Sequence, residues 1–227
     1  MKIIGHRGAA GLALENTLES IRVAKEIGVD AIEIDVRLTS DKHFVLCHDH
    51  TVGRVSKHNH IIKNHKISQL EQLDLHNGEN LPSLSDALRE AGETPLVIEV
   101  KGSGWGRFLA EYLINHEIND STIISFSHND LAYLKRKCPS VQTFSIERTK
   151  AFEAIQLAKQ NHFTGVDFNY WLLNPLTYWL AKRKNLKIIV YTVNSPRIAW
   201  LLSKFFPDIG ITTDFPDKLQ FLRKDRD

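Results

Sequence analysis

The chain alternates between short apolar runs and longer segments whose apolar residues recur with helical spacing. Short apolar runs bounded by polar residues are typical of buried strands. Repetition of strand and helix predicts parallel strands covered by outer helices. The runs are Lys2–Gly5, Ala31–Val36, Phe44–Cys47, Leu96–Val100, Thr122–Phe126, Val141–Ile146, Gly165–Phe168, Lys187–Val193 and Ile209–Thr213.

The second and third runs form a hairpin in this prediction, because residues 37–43 are too few for a parallel crossover, which needs about a dozen or more. A turn centred on Asp41 and Lys42 would place Asp35 opposite His48. Without the return strand, eight runs remain, which fits a closed (β/α)8 barrel, the TIM barrel fold. An open doubly wound sheet is the alternative.

Two helix starts carry capping signals. Asn16 is the predicted cap of the first helix, with Glu19 reaching back to complete a capping box, and Gly28 ends that helix. Ser83 and Asp86 repeat the capping pattern before a later helix. Both signals support the alternation of strands and helices.

The composition fits one globular unit. With 227 residues, 42% of them apolar and 25% charged, the chain has the size of a single α/β barrel. No repeat, low-complexity tract or proline-rich linker divides the sequence, so we predict one domain over 1–227 with an insertion at about 49–80. The net charge of +2 gives no electrostatic reason to expect nucleic acid as a partner. The sequence carries no signal for an oligomeric state.

The cysteines and the N-terminal residues indicate the compartment. Cys47 and Cys138 are too few for a disulfide framework, and Cys47 lies in an apolar run, as a buried thiol does. No stretch reaches about 18 apolar residues, and no signal-peptide pattern follows Met1. The prediction is a soluble, cytoplasmic protein without a stable membrane anchor.

Polar residues gather where the predicted strands end, and this end of an α/β barrel holds the active site. Alternation along a strand points Glu33 and Asp35 the same way, and likewise Glu99 and Lys101. We therefore expect one group of side chains to converge at the same rim. The group consists of His6, Arg7, Glu33, Asp35, His48, Glu99 and Lys101.

Three carboxylates in one pocket require a counter-charge. At roughly 4 Å, each like-charge pair costs on the order of 4 kcal/mol at an effective dielectric of about 20. Three such pairs approach the whole stability of a domain, about 5–15 kcal/mol. Oxygen ligands suit a hard cation, so Glu33, Asp35 and Glu99 predict a Mg²⁺ or Ca²⁺ site. The alternative is a buried salt network in which Arg7 and Lys101 pair with the carboxylates.

Two histidines beside such a site indicate proton transfer. Histidine is the side chain whose ordinary charge change falls near neutral pH, so of His6 and His48 one can accept a proton while the other donates one. Arg7 offers a planar fork and Lys101 a compact charge to an anionic substrate, which favours phosphoryl transfer as the reaction class. Gly8 allows the chain to turn sharply after the first strand.

Short motifs follow one another in a fixed order along the chain. They are His6-Arg7-Gly8, Glu15-Asn16-Thr17-Leu18, Glu33-Ile34-Asp35, His48-Asp49, Leu81-Pro82-Ser83-Leu84, Glu99-Val100-Lys101, Ser125-Phe126, Thr192-Val193-Asn194 and Ile211-Thr212-Thr213-Asp214. This ordered set resembles the glycerophosphodiester phosphodiesterase family over residues 2–219. Leu14, Tyr191 and the turn at 41–42 stand where the family usually has proline, tryptophan and an Asp-Gly pair.

The resemblance implies metal-dependent hydrolysis of a small-molecule glycerophosphodiester to glycerol 3-phosphate and an alcohol. The substrate's own glycerol hydroxyl attacks the phosphorus in this family, and water opens the resulting cyclic phosphate. The implied cofactor is Mg²⁺ or Ca²⁺, and the implied setting is glycerol and lipid metabolism. The matching positions are metal ligands at Glu33, Asp35 and Glu99, an acid–base pair at His6 and His48, and phosphate contacts at Arg7 and Lys101.

Two other functions stay open. A lysophospholipase D-type phosphodiesterase would need an apolar entrance, near Trp105 or the insertion, and the sequence shows no clear amphipathic anchor. A catalytically silent barrel would only bind glycerol phosphates or a partner. Loss of a histidine or of a metal ligand would have indicated the silent barrel.

Several other side chains receive structural interpretations. The His- and Lys-rich segment 57–66 is a predicted solvated rim loop with a minor role in attracting anions. Trp105 either packs under its own loop or closes over a ligand, and both readings stay open. Packing within the fold is predicted for Trp171, Tyr178, Trp179 and Trp200. Asp167, Asn169 and Asp214 are predicted either to cap a helix or to contact the substrate, and capping is the favoured interpretation.

Overall fold

The structure, a computed structural model, describes residues 1–118 and 121–224. Its strands are β1 (Lys2–Gly5), β2 (Ala31–Leu38), β3 (Phe44–Leu46), β4 (Leu96–Val100), β5 (Thr122–Ser125), β6 (Gln142–Glu147), β7 (Gly165–Asn169), β8 (Lys187–Tyr191) and β9 (Gly210–Thr213). All of them except β3 are parallel, and they close into a barrel because β1 pairs with both β2 and β9. The predicted TIM barrel is therefore confirmed.

Helices cover the outside of the barrel and follow most of the strands, as the alternating pattern predicted. They are α1 (Leu18–Ile27), α2 (Ile67–Leu70), α3 (Leu84–Ala91), α4 (Gly106–Asn115), α5 (His128–Lys137), α6 (Ala151–Gln160), α7 (Pro175–Arg183), α8 (Pro196–Phe205) and α9 (Phe221–Lys224). Short 3-10 helices lie at Ile62–Asn64, Tyr170–Leu172 and Pro216–Leu219. The longer helices bury small and aliphatic side chains against the strands.

The hairpin of β2 and β3 is confirmed, but its predicted register is wrong by one residue. The Cys47 amide donates to the Asp35 carbonyl at 3.0 Å, where the prediction placed His48. The turn has three residues, 40–42, because Lys42 takes a left-handed conformation with a φ of 69° and lengthens the loop. His48 still reaches the barrel mouth, since β3 ends before it and the chain leaves the ladder there.

The barrel interior has an apolar part and an acidic part. Side chains alternate along each strand, so Ile98 of β4 packs toward the helices while Val97 and Glu99 point inward. The acidic part lies toward the carboxyl ends of β2 and β4. Below it, the interior is filled by Ile4, Ala31, Val97, Ile124, Phe144, Ile146 and Ile189.

The segment between β3 and α3 forms its own small core beside the barrel. This core contains Val45, Cys47, Val52, Val55, Ile62, Leu70, Leu73, Leu75 and Leu81. Within the segment, residues 57–66 are mostly exposed, and Ile62 anchors them. The predicted solvated loop at 57–66 is confirmed in its exposure.

The start of α1 differs from the prediction. Thr17, not Asn16, is the N-cap: its hydroxyl accepts from the Ser20 amide at 3.1 Å, and the Ser20 hydroxyl accepts from the Thr17 amide at 3.2 Å. Glu19 accepts from the Asn77 side chain at 2.9 Å instead of reaching back to a cap. Asn16 lies one residue earlier in a left-handed conformation with a φ of 56°. Its side chain is thereby released for another contact, described below.

Other local predictions are confirmed. Gly28 ends α1 in a left-handed conformation, and Ser83 with Asp86 forms the capping box of α3. Cys47 and Cys138 are buried free thiols. Among the described residues, no helix is long and apolar enough to cross a membrane.

Candidate active site

The carboxyl ends of the barrel strands surround a pocket of about 320 Å³. Six of the seven residues grouped in the sequence analysis line this pocket. The seventh, Asp35, is 1% exposed and lies behind them. The opposite wall includes Phe126, Arg148, Asp167, Asn169 and Tyr191. The pocket is lined by the other predicted residues, His6, Arg7, Glu33, His48, Glu99 and Lys101.

Glu33, Asp35 and Glu99 form a compact cluster of carboxylates. Each contributes one oxygen atom, and these three atoms lie within 4.8 Å of one another. The sheet itself fixes the arrangement. Glu33 and Asp35 are two residues apart on β2 and therefore point to the same side, and Asp35 pairs in register with Glu99 on β4. Across residues 1–118 and 121–224, this is the one group of three potential metal ligands with such spacing.

Arg7 and Lys101 lie among these carboxylates. The Lys101 Nζ is 2.9 Å from the Asp35 Oδ1 and 2.5 Å from the Glu99 Oε1, and the Arg7 Nε is 3.1 Å from the Asp35 Oδ2. Burial alone would raise the pKa of Asp35, but the two cations outweigh it and lower that pKa. The pKa of Glu99 is raised, mainly by burial, although the charge of Lys101 acts to lower it.

The salt-network alternative explains only part of this cluster. Two cations face three carboxylates, and the Arg7 Nη1 also pairs with Glu15 at 2.9 Å. Arg7 and Lys101 therefore pair with Asp35 and Glu99, whereas the side chain nearest to Glu33 that can carry a positive charge is His6, at 3.9 Å. An additional positive charge would complete the balance.

Glu33 shows the imbalance directly. Its Oε2 accepts from the Arg7 backbone amide at 2.8 Å, while its Oε1 has no hydrogen-bond partner among the described residues. Burial, with repulsion from Asp35 and Glu99, raises the pKa of Glu33 well above its ordinary value. An unsatisfied buried polar group costs about 1–3 kcal/mol. This unpartnered oxygen and the all-oxygen donor set fit a hard divalent cation.

His6 is held by an aspartate from the far end of the barrel. Its Nδ1 is 2.6 Å from the Asp214 Oδ1, and the Asn194 side chain donates to the other Asp214 oxygen at 2.5 Å. Burial would raise the pKa of Asp214, but the hydrogen bonds from His6 and Asn194 lower it, so this group is a carboxylate. The His6 Nδ1–H then donates to it, and the Nε2 lies 3.9 Å from the Glu33 Oε2. Asp214 is therefore an imidazole partner, and its predicted capping role is wrong.

His48 is held in the same way by its neighbour in sequence. Its Nδ1 is 2.8 Å from the Asp49 Oδ1, and Arg54 donates to the Asp49 Oδ2 at 2.7 Å. Burial opposes ionisation of Asp49, but Arg54 and His48 outweigh it and lower its pKa to about 2. The His48 carbonyl accepts from the Arg37 guanidinium at 2.9 and 2.6 Å. Burial is the main cause that lowers the pKa of His48 itself.

Both histidines are thus fixed through their Nδ1 atoms, which leaves each Nε2 for the pocket. Sequence reasoning did not assign this orienting role to Asp49 or Asp214. The available signals were an acidic residue directly after His48 and another directly after the last strand.

Asn16 is a further residue whose role the sequence did not indicate. Its side-chain amide donates to the Asp35 Oδ2 at 2.9 Å, and its side-chain oxygen accepts from the Asp35 amide at 2.9 Å. Asparagine adopts left-handed conformations more readily than most residues, which permits this geometry before α1. Asn16 therefore positions one of the carboxylates.

The chain turns sharply after β1, as predicted. Arg7 and Gly8 have positive φ values of 50° and 87°. A Cβ at Gly8 would lie 2.3 Å from the Ser20 Oγ, so only glycine fits this position. The turn brings the Arg7 side chain over the carboxylates.

The opposite wall contains a second buried acid. Asp167 is buried in β7, and its Oδ1 has no hydrogen-bond partner among the described residues. Burial, with repulsion from Glu99, raises the pKa of Asp167 well above its ordinary value. Asp167 caps no helix, so the favoured capping interpretation is wrong, while its place in the pocket lining leaves the alternative of a substrate contact open. Asn169 does cap the 3-10 helix at Tyr170–Leu172, as predicted.

The structure separates the aromatic residues into two groups. Trp105 is buried in the main core, which confirms the packing interpretation and removes it from the entrance. Tyr178 packs against Phe206 with ring centroids 5.0 Å apart, as predicted. The packing prediction is wrong for three tryptophans. Each lies on the outer side of its helix, which packs against the barrel through other residues. These exposed residues are Trp171, Trp179 and Trp200.

Comparison with known proteins agrees with this fold. The glycerophosphodiester phosphodiesterase of Caldanaerobacter subterraneus subsp. tengcongensis is 27% identical over 232 residues, covering 96% of this chain and 95% of that protein. The structure of an Oleispira antarctica phosphodiesterase in complex with the product sn-glycerol-3-phosphate has a TM-score of 0.90 at 23% identity, covering 99% and 97% of the two chains.

A human lysophospholipase D is 31% identical over 113 residues, which cover 44% of this chain and 36% of that protein. The family model of the glycerophosphoryl diester phosphodiesterases matches residues 6–218. The chain therefore belongs to the glycerophosphoryl diester phosphodiesterase family and is a phosphoric diester hydrolase with the TIM barrel fold.

Proposed function

We propose that this enzyme hydrolyses glycerophosphodiesters to glycerol 3-phosphate and an alcohol in a reaction that depends on a divalent cation. One observation carries the proposal: three carboxylates and two imidazoles, each imidazole fixed by an aspartate, converge at one pocket. The name of the Caldanaerobacter relative and the product in the Oleispira structure support the same substrate class.

Glu33, Asp35 and Glu99 would hold the cation, Mg²⁺ or Ca²⁺. Their buried oxygen atoms and their excess negative charge support this assignment. When bound, such a cation offsets charge on the phosphoryl oxygens. Arg7 and Lys101 would contact the phosphate, because both line the pocket and both donate only.

His6 and His48 would exchange the protons. One histidine takes the proton from the free glycerol hydroxyl as its oxygen attacks the phosphorus. The other gives a proton to the alcohol oxygen as the bond between that oxygen and phosphorus breaks. Water then opens the cyclic phosphate with the two roles reversed. The lowered pKa of His48 favours its neutral form near pH 7, the state that a base requires.

We further propose that the chain acts as one domain in the cytoplasm, within glycerol and lipid metabolism. The family match over most of the chain supports the single domain. The two buried, unpaired thiols are compatible with a reducing compartment.

The decisive experiment measures release of glycerol 3-phosphate from glycerophosphocholine and glycerophosphoethanolamine. The enzyme is assayed after EDTA treatment and after addition of Mg²⁺ or Ca²⁺. We expect activity only with a divalent cation, loss of activity in Glu33→Gln, and loss of at least about a hundredfold in His48→Ala.

Two results would contradict the proposal. Activity that survives both EDTA and Glu33→Gln would remove the metal assignment. Binding of glycerol 3-phosphate without any turnover, under all metal conditions, would favour a silent binding barrel.

A further inference from the structure

One side of the barrel carries an unusual concentration of exposed apolar side chains. Seven of the twelve large apolar residues that are exposed in the described part of the chain lie between residues 152 and 205. We call six of them the α7–α8 face, and the seventh, Phe152, lies beside it. The face consists of Trp171 (74% exposed), Leu176 (57%), Trp179 (53%), Trp200 (46%), Leu201 (41%) and Phe205 (69%).

Trp171 lies on the 3-10 helix before α7, and the other five residues are exposed because α7 and α8 bury a different side. In α7, Thr177 and Ala181 pack inward, and in α8, Ala199 and Leu202 do so. Both helices therefore have apolar residues on the outside as well as on the inside. A helix that only covers a barrel would carry polar residues on its outer side.

The charge of this part of the chain has one sign. Residues 168–207 contain no aspartate or glutamate. Forty consecutive residues without an acidic side chain stand out in a chain that holds 27 Asp and Glu residues in total. The basic residues in the stretch are Lys182, Arg183, Lys184, Lys187, Arg197 and Lys204.

The cations lie next to the exposed rings. The Arg183 guanidinium is 5.1 Å from the centre of the Trp179 ring, and the Lys204 Nζ is 5.9 Å from that of Trp200. Tryptophan is enriched at the boundary between lipid and water, and neighbouring lysine and arginine attract anionic head groups. The α7–α8 face thus combines the two features that such a boundary recognises.

The face also lies beside the mouth of the active site. Trp171 and Phe152 line a groove of about 240 Å³ that begins at Thr149. The preceding residue, Arg148, lines the active-site pocket, and so does Asn169 just before the 3-10 helix that holds Trp171. A surface that covers this groove would hold phosphodiesters next to the pocket.

We propose that the α7–α8 face docks this enzyme onto an anionic phospholipid surface. The proposal rests on the proposed function and deepens it. Docking would bring the active-site pocket to glycerophosphodiesters that carry one acyl chain and are held in the membrane. Their head groups would enter the pocket while the acyl chain stays in the lipid. The entrance predicted from sequence for such substrates, near Trp105 or the insertion, is replaced by Trp171 and Phe152.

Other occupants fit the face less well. A nucleic acid would match the charge, but Leu176 and Leu201 are aliphatic and offer no ring on which a base could stack, whereas a hydrocarbon chain packs against both. A second copy of this chain would bring a second set of cations against the first, which costs energy.

The test measures co-sedimentation of the enzyme with lipid vesicles. We use vesicles of phosphatidylcholine alone and vesicles that also contain phosphatidylglycerol. We expect the wild type to bind the anionic vesicles more strongly, with a loss of binding at high salt. The double change Trp171→Ala with Trp179→Ala weakens binding by about tenfold or more. The double change Arg183→Gln with Lys204→Gln removes the preference for anionic vesicles.

The matched control is Ile114→Ala. Ile114 is 57% exposed on α4, which follows a strand on the other side of the barrel. Its vesicle binding stays at the wild-type level if the proposal is correct. All these variants keep wild-type turnover of water-soluble glycerophosphocholine, because none contributes to the catalytic pocket. Turnover of lysophosphatidylcholine in anionic vesicles falls only in the variants of the α7–α8 face.

Several outcomes overturn the proposal. They are absence of vesicle binding by the wild type, equal weakening in Ile114→Ala, and binding of single-stranded RNA in place of vesicles. A concentration-dependent dimer that the double tryptophan change abolishes would identify a second copy as the occupant. If the wild type does not turn over glycerophosphocholine at all, the proposed function is contradicted, whatever the result with vesicles.

Discussion

Asn16 and Asp35 are joined by two hydrogen bonds of 2.9 Å. The side-chain amide of Asn16 donates to the Asp35 carboxylate, and the backbone amide of Asp35 donates to the side-chain oxygen of Asn16. Asn16→Ala removes both bonds and leaves a buried carboxylate short of a donor. We expect a loss of about 2–4 kcal/mol in unfolding free energy, because hydrogen bonds to charged groups contribute about 1.5–3 kcal/mol. Urea unfolding measures this loss, and isothermal titration with Mg²⁺ should show weaker cation binding.

The neighbouring cap provides the matched control for Asn16. Thr17→Ala removes the N-cap hydroxyl of α1 and should cost about 1 kcal/mol. Its cation affinity should stay at the wild-type value, because Thr17 makes no contact with the carboxylates. Equal cation affinity in Asn16→Ala and wild type would show that Asn16 is only structural.

Glu33→Gln should stabilise the metal-free protein while it abolishes activity. The folded-state pKa of Glu33 lies above its ordinary value of 4.5, so its contribution to stability is complete below about pH 4.5 and is lost as the pH rises. Glutamine has no charge to bury. In EDTA, thermal unfolding of the variant should occur at a higher temperature than wild type at about pH 8, but not at about pH 4. Glu26→Gln, on the exposed side of α1, should change neither value.

Asp214→Asn should impair turnover far more than stability. The amide cannot stabilise a protonated His6, and it can hold the wrong tautomer. We expect kcat on glycerophosphocholine to fall by about a hundredfold or more, with unfolding free energy within about 1–2 kcal/mol of wild type. Asp208→Asn is the control, since Asp208 binds Tyr178 and Lys182 on the surface. A kcat loss that Asp208→Asn shares would contradict the orienting role.

Asp167→Asn should increase the unfolding free energy relative to wild type, and this gain should grow as the pH rises. Burial, followed by repulsion from Glu99, holds the pKa of Asp167 well above 3.8, so stability declines as the pH rises above that value. The neutral amide removes this decline. Urea unfolding at several pH values should show a gain at about pH 7 and little change at about pH 3. A gain of the same size at both values would contradict the raised pKa.

The barrel and the convergence of the predicted residues follow from signals that the sequence contains. Apolar runs of strand length, separated by helical segments, define the order of the elements, and a parallel barrel gathers their carboxyl ends. Residues at those ends, such as Glu33 and Glu99, then share one rim. No detail of side-chain packing is needed for this inference.

The errors arise where one residue has two acceptable conformations or contacts. Lys42 takes a left-handed conformation that a lysine rarely adopts, and this shifts the hairpin by one residue. Asn16 is both a good cap and a good left-handed residue, so its sequence context does not choose between them. Trp179 and Trp200 lie on helices with apolar residues on both sides, so periodicity does not reveal which side faces the core.

The closure of the barrel between β1 and β9 makes assembly of the site wait for synthesis of the last barrel strand. His6 follows the first strand, and its partner Asp214 lies 208 positions later, directly after the last. A nascent chain emerging from the ribosome therefore carries His6 long before anything can orient it. Proteolytic removal of the segment after β8 would take away both β9, which closes the barrel, and Asp214, which orients His6. Catalytic competence thus reports that translation has passed the last strand.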